Sequence, residues 1–314
     1  MTVSATTKPE SPEQDAPAVV PTRHWGRWIT GAVGLAILLW VAYKLTHIDK
    51  IDYPVITQYL NKSSILEGLK NTILIAVFSQ IIGVILGVLL ATMRLSKNPV
   101  FAGAAWLYIW FFRGTPALVQ ILFWFNGLLL VITRVRVSIP FTDVVFIDKP
   151  AASVITVFVA AVLALGLNEG AYMAEITRAG ILSVDQGQTE AAQALGMTSR
   201  LSLRRIILPQ AMRVIIPPTG NEFISMLKNT ALVQVIGQVE LLGRATAIYS
   251  QSGQVFELLV MTCIWYVLLT SVAQTGQYYL ERRFARGSVH QLPPTPFQRV
   301  RATVNNLRGG LSRA

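Results

Sequence analysis

Six long apolar runs constrain this 314-residue chain more than any other feature. They fall near residues 28–45, 69–92, 100–133, 151–182, 211–237 and 255–280. A helix rises about 1.5 Å per residue and the hydrocarbon of a bilayer is about 30 Å thick, so about 20 apolar residues make one crossing. Only 14% of the residues are charged and 53% are hydrophobic, against about 25% charged in an ordinary soluble domain. Too little polar surface remains for a dissolved particle. The expected fold class is an all-α integral membrane protein, because a helix in lipid satisfies its own backbone hydrogen bonds.

Three of the runs are irregular. The run 100–133 is too long for one untilted crossing, and Arg113, Gly114, Thr115 and Pro116 mark where it breaks, since proline removes a donor and glycine loosens the backbone. Residues 100–112, with Trp106, Tyr108 and Trp110, then form a short interfacial helix. The run 151–182 turns polar at Asn168 and Glu169. The run 211–237 carries Pro217 and Pro218 followed by Gly220, Asn221 and Glu222, which predicts a kink with freed backbone groups. Such breaks are tolerated at membrane depth where they are buried in protein or line a cavity.

The formal net charge of +11 would suggest nucleic acid in a soluble protein. In a membrane protein, basic residues mark the cytoplasmic side. With the N-terminus inside, 17 Lys and Arg residues fall on cytoplasmic segments and 6 on outer loops. Both termini are therefore expected inside, with an even number of spans and no need for nucleic acid. Residues 1–24, rich in Pro, Ser, Thr and acidic side chains, read as a disordered cytoplasmic tail, and 286–314 as a basic cytoplasmic tail.

Catalytic chemistry is scarce. Cys263 is the sole cysteine and reads as a buried apolar thiol; His24, His47 and His290 all lie outside the apolar runs, so no metal site is expected. No lysine follows a glycine, so the phosphate-cradling Gly-Lys-Ser/Thr loop is absent. No cofactor is expected in this chain.

Ionisable residues inside spans are costly and are functional candidates by default. Glu169, Glu175 and Glu222 qualify, with Asn168, Asn221, Ser225 and Lys228 near them. Helical spacing puts Asn221, Ser225 and Lys228 on one face, with Glu222 beside it. Such a face would line a path for a zwitterion, offering acceptors to an ammonium and donors to a carboxylate. The competing reading sets Glu169 and Glu175 at the cytoplasmic interface, Glu169 lying about 27 Å along a helix from Ala151. Arg113 reads first as a snorkelling residue and second as a substrate contact.

The least membrane-like interior stretch is 183–210, SVDQGQTEAAQALGMTSRLSLRRIILPQ. Gln188 to Leu195 are good helix formers, Gly196 is placed to end that helix in a left-handed conformation, and Thr198 or Ser199 can cap a second, amphipathic helix ended by Pro209. Glu190, Ala191, Ala192, then Gly196, then Ile207, Leu208 and Pro209 resemble the EAA loop of permease subunits from bacterial ABC importers. FFRGTPALVQ at 111–120, AYMAEITRAGI at 171–181, LPQAMRVIIPP at 208–218 and NEFISMLKNTALVQVIG at 221–237 resemble the polar amino acid subfamily.

The resemblance covers roughly 65–285. It implies the type I ABC importer permease fold, a five-span core preceded by an extra N-terminal transmembrane helix and outer loop at 25–64. It further implies that 183–210 is a coupling loop docking on a dimer of ATPase subunits, which would bind ATP and magnesium. Gly187, Glu190, Ala191, Ala192, Gly196, Leu201, Leu208 and Pro209 would form that contact. The other implied partners are a second permease subunit, identical or related, and an extracytoplasmic substrate-binding protein delivering glutamate, glutamine or a basic amino acid. Broken helices and buried carboxylates suit an ion-coupled secondary transporter as well, but no inverted repeat is visible and the loop would then lack a purpose.

Overall fold

The computed structural model describes residues 25–47, 51–138 and 145–284. The expected tails at 1–24 and 286–314 lie outside the described residues. The chain divides into two units at residue 51. The first holds one helix, α1 (Trp25–Thr46), whose apolar stretch is Trp28–Val41. Trp28, Leu38 and Trp40 on it are all exposed.

The second unit is a helical bundle. A short α2 (Tyr53–Leu60) leads into α3 (Ser63–Arg94), α4 (Pro99–Gly114) and α5 (Ala117–Val131). A hairpin of β1 (Arg134–Ser138) and β2 (Val145–Pro150) follows, paired antiparallel, then the single turn α6 (Ala151–Val154) and α7 (Val157–Leu182). Next come α8 (Gln186–Ala194), α9 (Ser199–Ser202), α10 (Leu208–Asn229), α11 (Leu241–Ser252) and α12 (Val255–Phe284). Among the described residues, α3, α7 and α12 are each long and apolar enough to cross a bilayer. A fourth crossing follows if the segment Ser199–Ile236 and α11, bent by 46°, count as one.

Several sequence expectations change in detail. The run 100–133 does break, between α4 and α5. The run 151–182 loses its start to α6, so the span begins at Val157, where Thr156 caps it by accepting from the Val159 amide at 3.3 Å. No break occurs at the proline pair: α10 continues through Pro217 and Pro218, and Gln277 of α12 donates to the Pro217 carbonyl at 2.6 Å. The helix instead tightens to 3-10 geometry over Thr230–Ile236 and stops at Gly237, φ +80°. Pro209 does not end a helix either. It stands in the first turn of α10, where a missing donor costs little, and a π-helical segment, Leu203–Ile207, joins α9 to it. Cys263 is exposed on α12 rather than buried, because that helix turns an apolar face outward.

The bundle is held by close packing of α3 on α7. Small residues let helix backbones approach in a membrane, and here a side chain at Gly83 would overlap Glu169 and one at Gly87 would overlap Met173. Around this seam Ile75, Ala76, Ile121, Ala161, Leu165, Met226 and Val233 form one buried cluster drawn from α3, α5, α7, α10 and the 3-10 segment. At the opposite end from α8, Glu240 is fully buried. It accepts from the Leu242 and Gly243 amides at 2.9 and 2.6 Å, capping α11, and from the Tyr266 hydroxyl at 2.9 Å.

Candidate functional site

The break between α4 and α5 makes the first part of the site. Thr115 is extended (φ −115°, ψ 143°) because a residue before proline is driven out of the helical region. The last carbonyls of α4 are left without helical partners. Gln120, 3% exposed, supplies them by donating to the Phe112 carbonyl at 2.9 Å and the Thr115 carbonyl at 3.1 Å. Asn168 of α7 donates to the same Phe112 carbonyl at 3.3 Å and to the Gln120 side-chain oxygen at 3.0 Å.

This break, the middle of α7 and the upper half of α10 enclose a cavity of about 580 Å³. Arg113, Asn168, Glu169, Tyr172, Glu222, Ser225 and Asn229 provide its polar walls. Glu169 is 4% exposed, held against Gly83 and accepting from the Gln80 amide at 3.3 Å. Glu222 is half-buried. The Arg113 guanidinium lies 5.4 Å from the centre of the Tyr172 ring. Two carboxylates and one guanidinium in a single chamber can hold a zwitterion whose side chain is cationic, the carboxylates taking the positive groups and Arg113 the negative one.

The start of α7 at Val157 decides between the two readings of Glu169. It lies 12 residues into the span and 13 before its end, about 18 and 20 Å along the axis. That is mid-span, not interfacial. Glu175 is nearer the end of α7, bonded to Arg178 at 2.7 Å, and lines a neighbouring cavity instead. On α10 the lining face is Glu222, Ser225 and Asn229, spaced i, i+3, i+7. Asn221 and Lys228 are exposed and outside it: one residue of offset turns a helix by about 100°. Gln80, Gln120 and Asn229 were not singled out from sequence. A lone glutamine inside an otherwise apolar run was the available signal for the first two.

The second part of the site is the loop between α7 and α10. Asp185 caps α8 by accepting from the Gly187 amide at 2.7 Å. Gly196 takes φ +71°, and the bonds Met197 N to Ala192 O (3.0 Å) and Gly196 N to Gln193 O (2.9 Å) complete a Schellman stop. Thr198 then caps α9, accepting from the Leu201 amide at 3.4 Å. Gly187, Glu190, Ala191, Gly196, Leu201, Leu208 and Pro209 are exposed, whereas Ala192 is buried and packs inward. Leu195, at the tip, is 80% exposed and adds an apolar knob that the motif alone does not specify.

Comparisons with known proteins place the chain among relatives of one family. Residues 83–286 match the family described as "Binding-protein-dependent transport system inner membrane component". The "Arginine transport system permease protein ArgU" of Corynebacterium glutamicum is 45% identical over 273 residues, covering 87% of this chain and 84% of that protein. The "Nopaline transport system permease protein NocM" of Agrobacterium fabrum is 36% identical, covering 66% and 82%. Among solved structures, "Crystal structure of an amino acid ABC transporter with histidines" aligns at 36% identity with a TM-score of 0.63, covering 74% of this chain and 99% of that one. A methionine ABC transporter, MetNI, shares the fold at 19% identity and a TM-score of 0.56.

Proposed function

This chain belongs to the family of binding-protein-dependent transport system inner membrane components, the permease subunits of ABC importers, and from that premise we propose that it conducts a cationic amino acid into the cell. The observation that carries the substrate class is the pairing of Glu169 and Glu222 against the single Arg113 in one chamber. A relative 45% identical over most of both chains is named for arginine, and one 36% identical is named for nopaline. The family assignment leaves the ion-coupled alternative without support.

In this reading α8 faces the cytosol and docks on one of two ATPase subunits, with Glu190 as its polar contact and Leu195, Leu201 and Leu208 as its apolar ones. ATP and magnesium belong to those subunits. A second permease, identical or related, completes the pathway, and an extracytoplasmic binding protein loads it. Both termini are cytoplasmic.

The chain itself supplies the lever. The loop carrying α8 joins the end of α7 to the start of α10 with no free linker longer than a few residues. Glu169 stands 13 residues above the end of α7 and Glu222 14 residues above the start of α10, both about 20 Å from the loop. A tilt imposed on α8 is therefore delivered to both carboxylates at one height, changing their separation and their grip on a cation. The test is reconstitution with the cognate ATPase and binding protein in vesicles. ATP-dependent uptake of labelled arginine or lysine, exceeding that of glutamate, is expected; uptake that prefers acidic amino acids would overturn the substrate class.

A further inference from the structure

A second cavity, of about 630 Å³, shares Arg113, Gly114 and Tyr172 with the first. The remaining charged residues lining it are Arg94, Glu175 and Arg178. The two chambers are thus continuous at Arg113 and opposite in sign. In the upper one two carboxylates face one guanidinium; in the lower one three guanidinium groups face one carboxylate. Arg178 occupies that carboxylate, with Nε and Nη2 at 3.2 and 2.7 Å from Glu175 Oε2. Among the described residues Arg94 and Arg113 form no ion pair, so their charge is left over. Arg94 is the last residue of α3 and Arg178 lies four residues before the end of α7, which puts this chamber on the α8 side of Glu169.

From this reversal of charge we infer that the lower chamber is an electropositive vestibule on the cytosolic side of the path, which hinders cytosolic cations from reaching the upper chamber. The inference rests on the reading of the upper chamber as the cation site and of α8 as cytoplasmic. Clefts with low-dielectric walls focus the field of the charges that line them. One unit charge about 10 Å away, at an effective dielectric of about 20 and screened over a Debye length of about 8 Å, changes local cation occupancy about two- to threefold. Arg94 is one such charge belonging to the vestibule alone, and Arg113, shared with the upper chamber, stands at its mouth, enough to make re-entry a disfavoured event without sealing the path.

The experiment uses the full transporter in vesicles whose lumen holds ATP and represents the cytosol. Labelled arginine uptake is measured with increasing unlabelled arginine, or neutral glutamine, preloaded in the lumen, each variant being normalised to its own uptake with an amino-acid-free lumen. Arg94→Gln should lower the lumenal arginine needed for half-inhibition about two- to threefold, Arg94→Glu should lower it further, and Arg94→Lys should leave it near wild type. The response to lumenal glutamine should not move. Half-inhibition that is insensitive to charge at position 94, or that shifts equally for glutamine, overturns the inference. So does an effect confined to vesicles containing anionic lipid, which would make the chamber a headgroup site. A wild-type transporter that takes up no cationic amino acid defeats the underlying substrate reading instead.

Discussion

Asn168 donates its side-chain N–H to the Gln120 side-chain oxygen at 3.0 Å and so ties the centre of α7 to the break between α4 and α5. Gln120 in turn holds the carbonyls that the break exposes. The polar residue at mid-span is here a fastener as much as a wall of the cavity.

Removing that fastener leaves buried acceptors unpaired. Gln120→Leu is expected to destabilise the protein by about 1–3 kcal/mol, and Asn168→Ala by a similar amount. Because the two side chains bond each other, either single variant already breaks that bond, and the double variant should lose less than the sum. Thermal unfolding in detergent, followed for the singles and the double, measures this; a Gln120→Leu protein that melts with the wild type would refute the bridging role.

Glu169→Gln and Glu222→Gln each replace one carboxyl group of the upper chamber by an amide with little change of shape. A charged hydrogen bond is worth about 1.5–3 kcal/mol, so each substitution should cut maximal uptake of a cationic amino acid by about tenfold or more. Stimulation of ATP hydrolysis by the loaded binding protein should persist, since neither the outer surface nor α8 is altered. Uptake and hydrolysis falling together would instead mark the carboxylates as structural.

The loop offers a different split. Leu195→Glu places a charge on the exposed tip and should abolish co-purification with the ATPase subunit, with helix content and melting temperature unchanged. Gly196→Val forces a β-branched residue into a left-handed backbone at φ +71°, at a strain of roughly 1–2 kcal/mol, and should uncouple hydrolysis from uptake while the permease still inserts. Retained ATPase binding in Leu195→Glu would remove the tip from the contact.

Glu240 supports the opposite end of the bundle. Glu240→Ala strips the cap from α11 and removes the carboxylate acceptor of the buried Tyr266 hydroxyl, which should lower stability by about 2–4 kcal/mol. Glu240→Gln, which keeps one acceptor oxygen, should fall between. Melting temperatures of the three proteins order the effect, and an alanine variant as stable as the glutamine one would show that the side chain adds nothing beyond packing.

Much of this site was legible residue by residue where the determining physics is local. A proline disfavours helix at the residue before it, so Thr115 and Pro116, next to Gly114, announced the α4–α5 break. A glycine after a run of helix formers announced the stop at Gly196. Local rules also misled: Pro217 and Pro218 predict a kink, yet α10 runs on through both, packed on α12, whose Gln277 donates to the Pro217 carbonyl. The hairpin was missed although Arg134, Val135, Arg136 and Val137 alternate with a period of two, because four such residues between long helices carry little weight.

The amino-acid sequence by itself determined that the chain must enter a membrane, that the run 100–133 breaks before Pro116, and which loop stands apart from the spans. Those properties follow from transfer free energies and backbone sterics that each short segment carries with it. The tertiary structure alone decided that Glu222 rather than Asn221 faces the cavity, that Glu169 lies at mid-span, and that Glu175 belongs to a second chamber of opposite charge. Those depend on the rotation of α10 about its axis and on where α7 begins. The rotation is fixed by packing of α10 on α7 and α12, and the start of α7 by the turn α6 and the Thr156 cap before it; the packing contacts are ones that no single helix encodes.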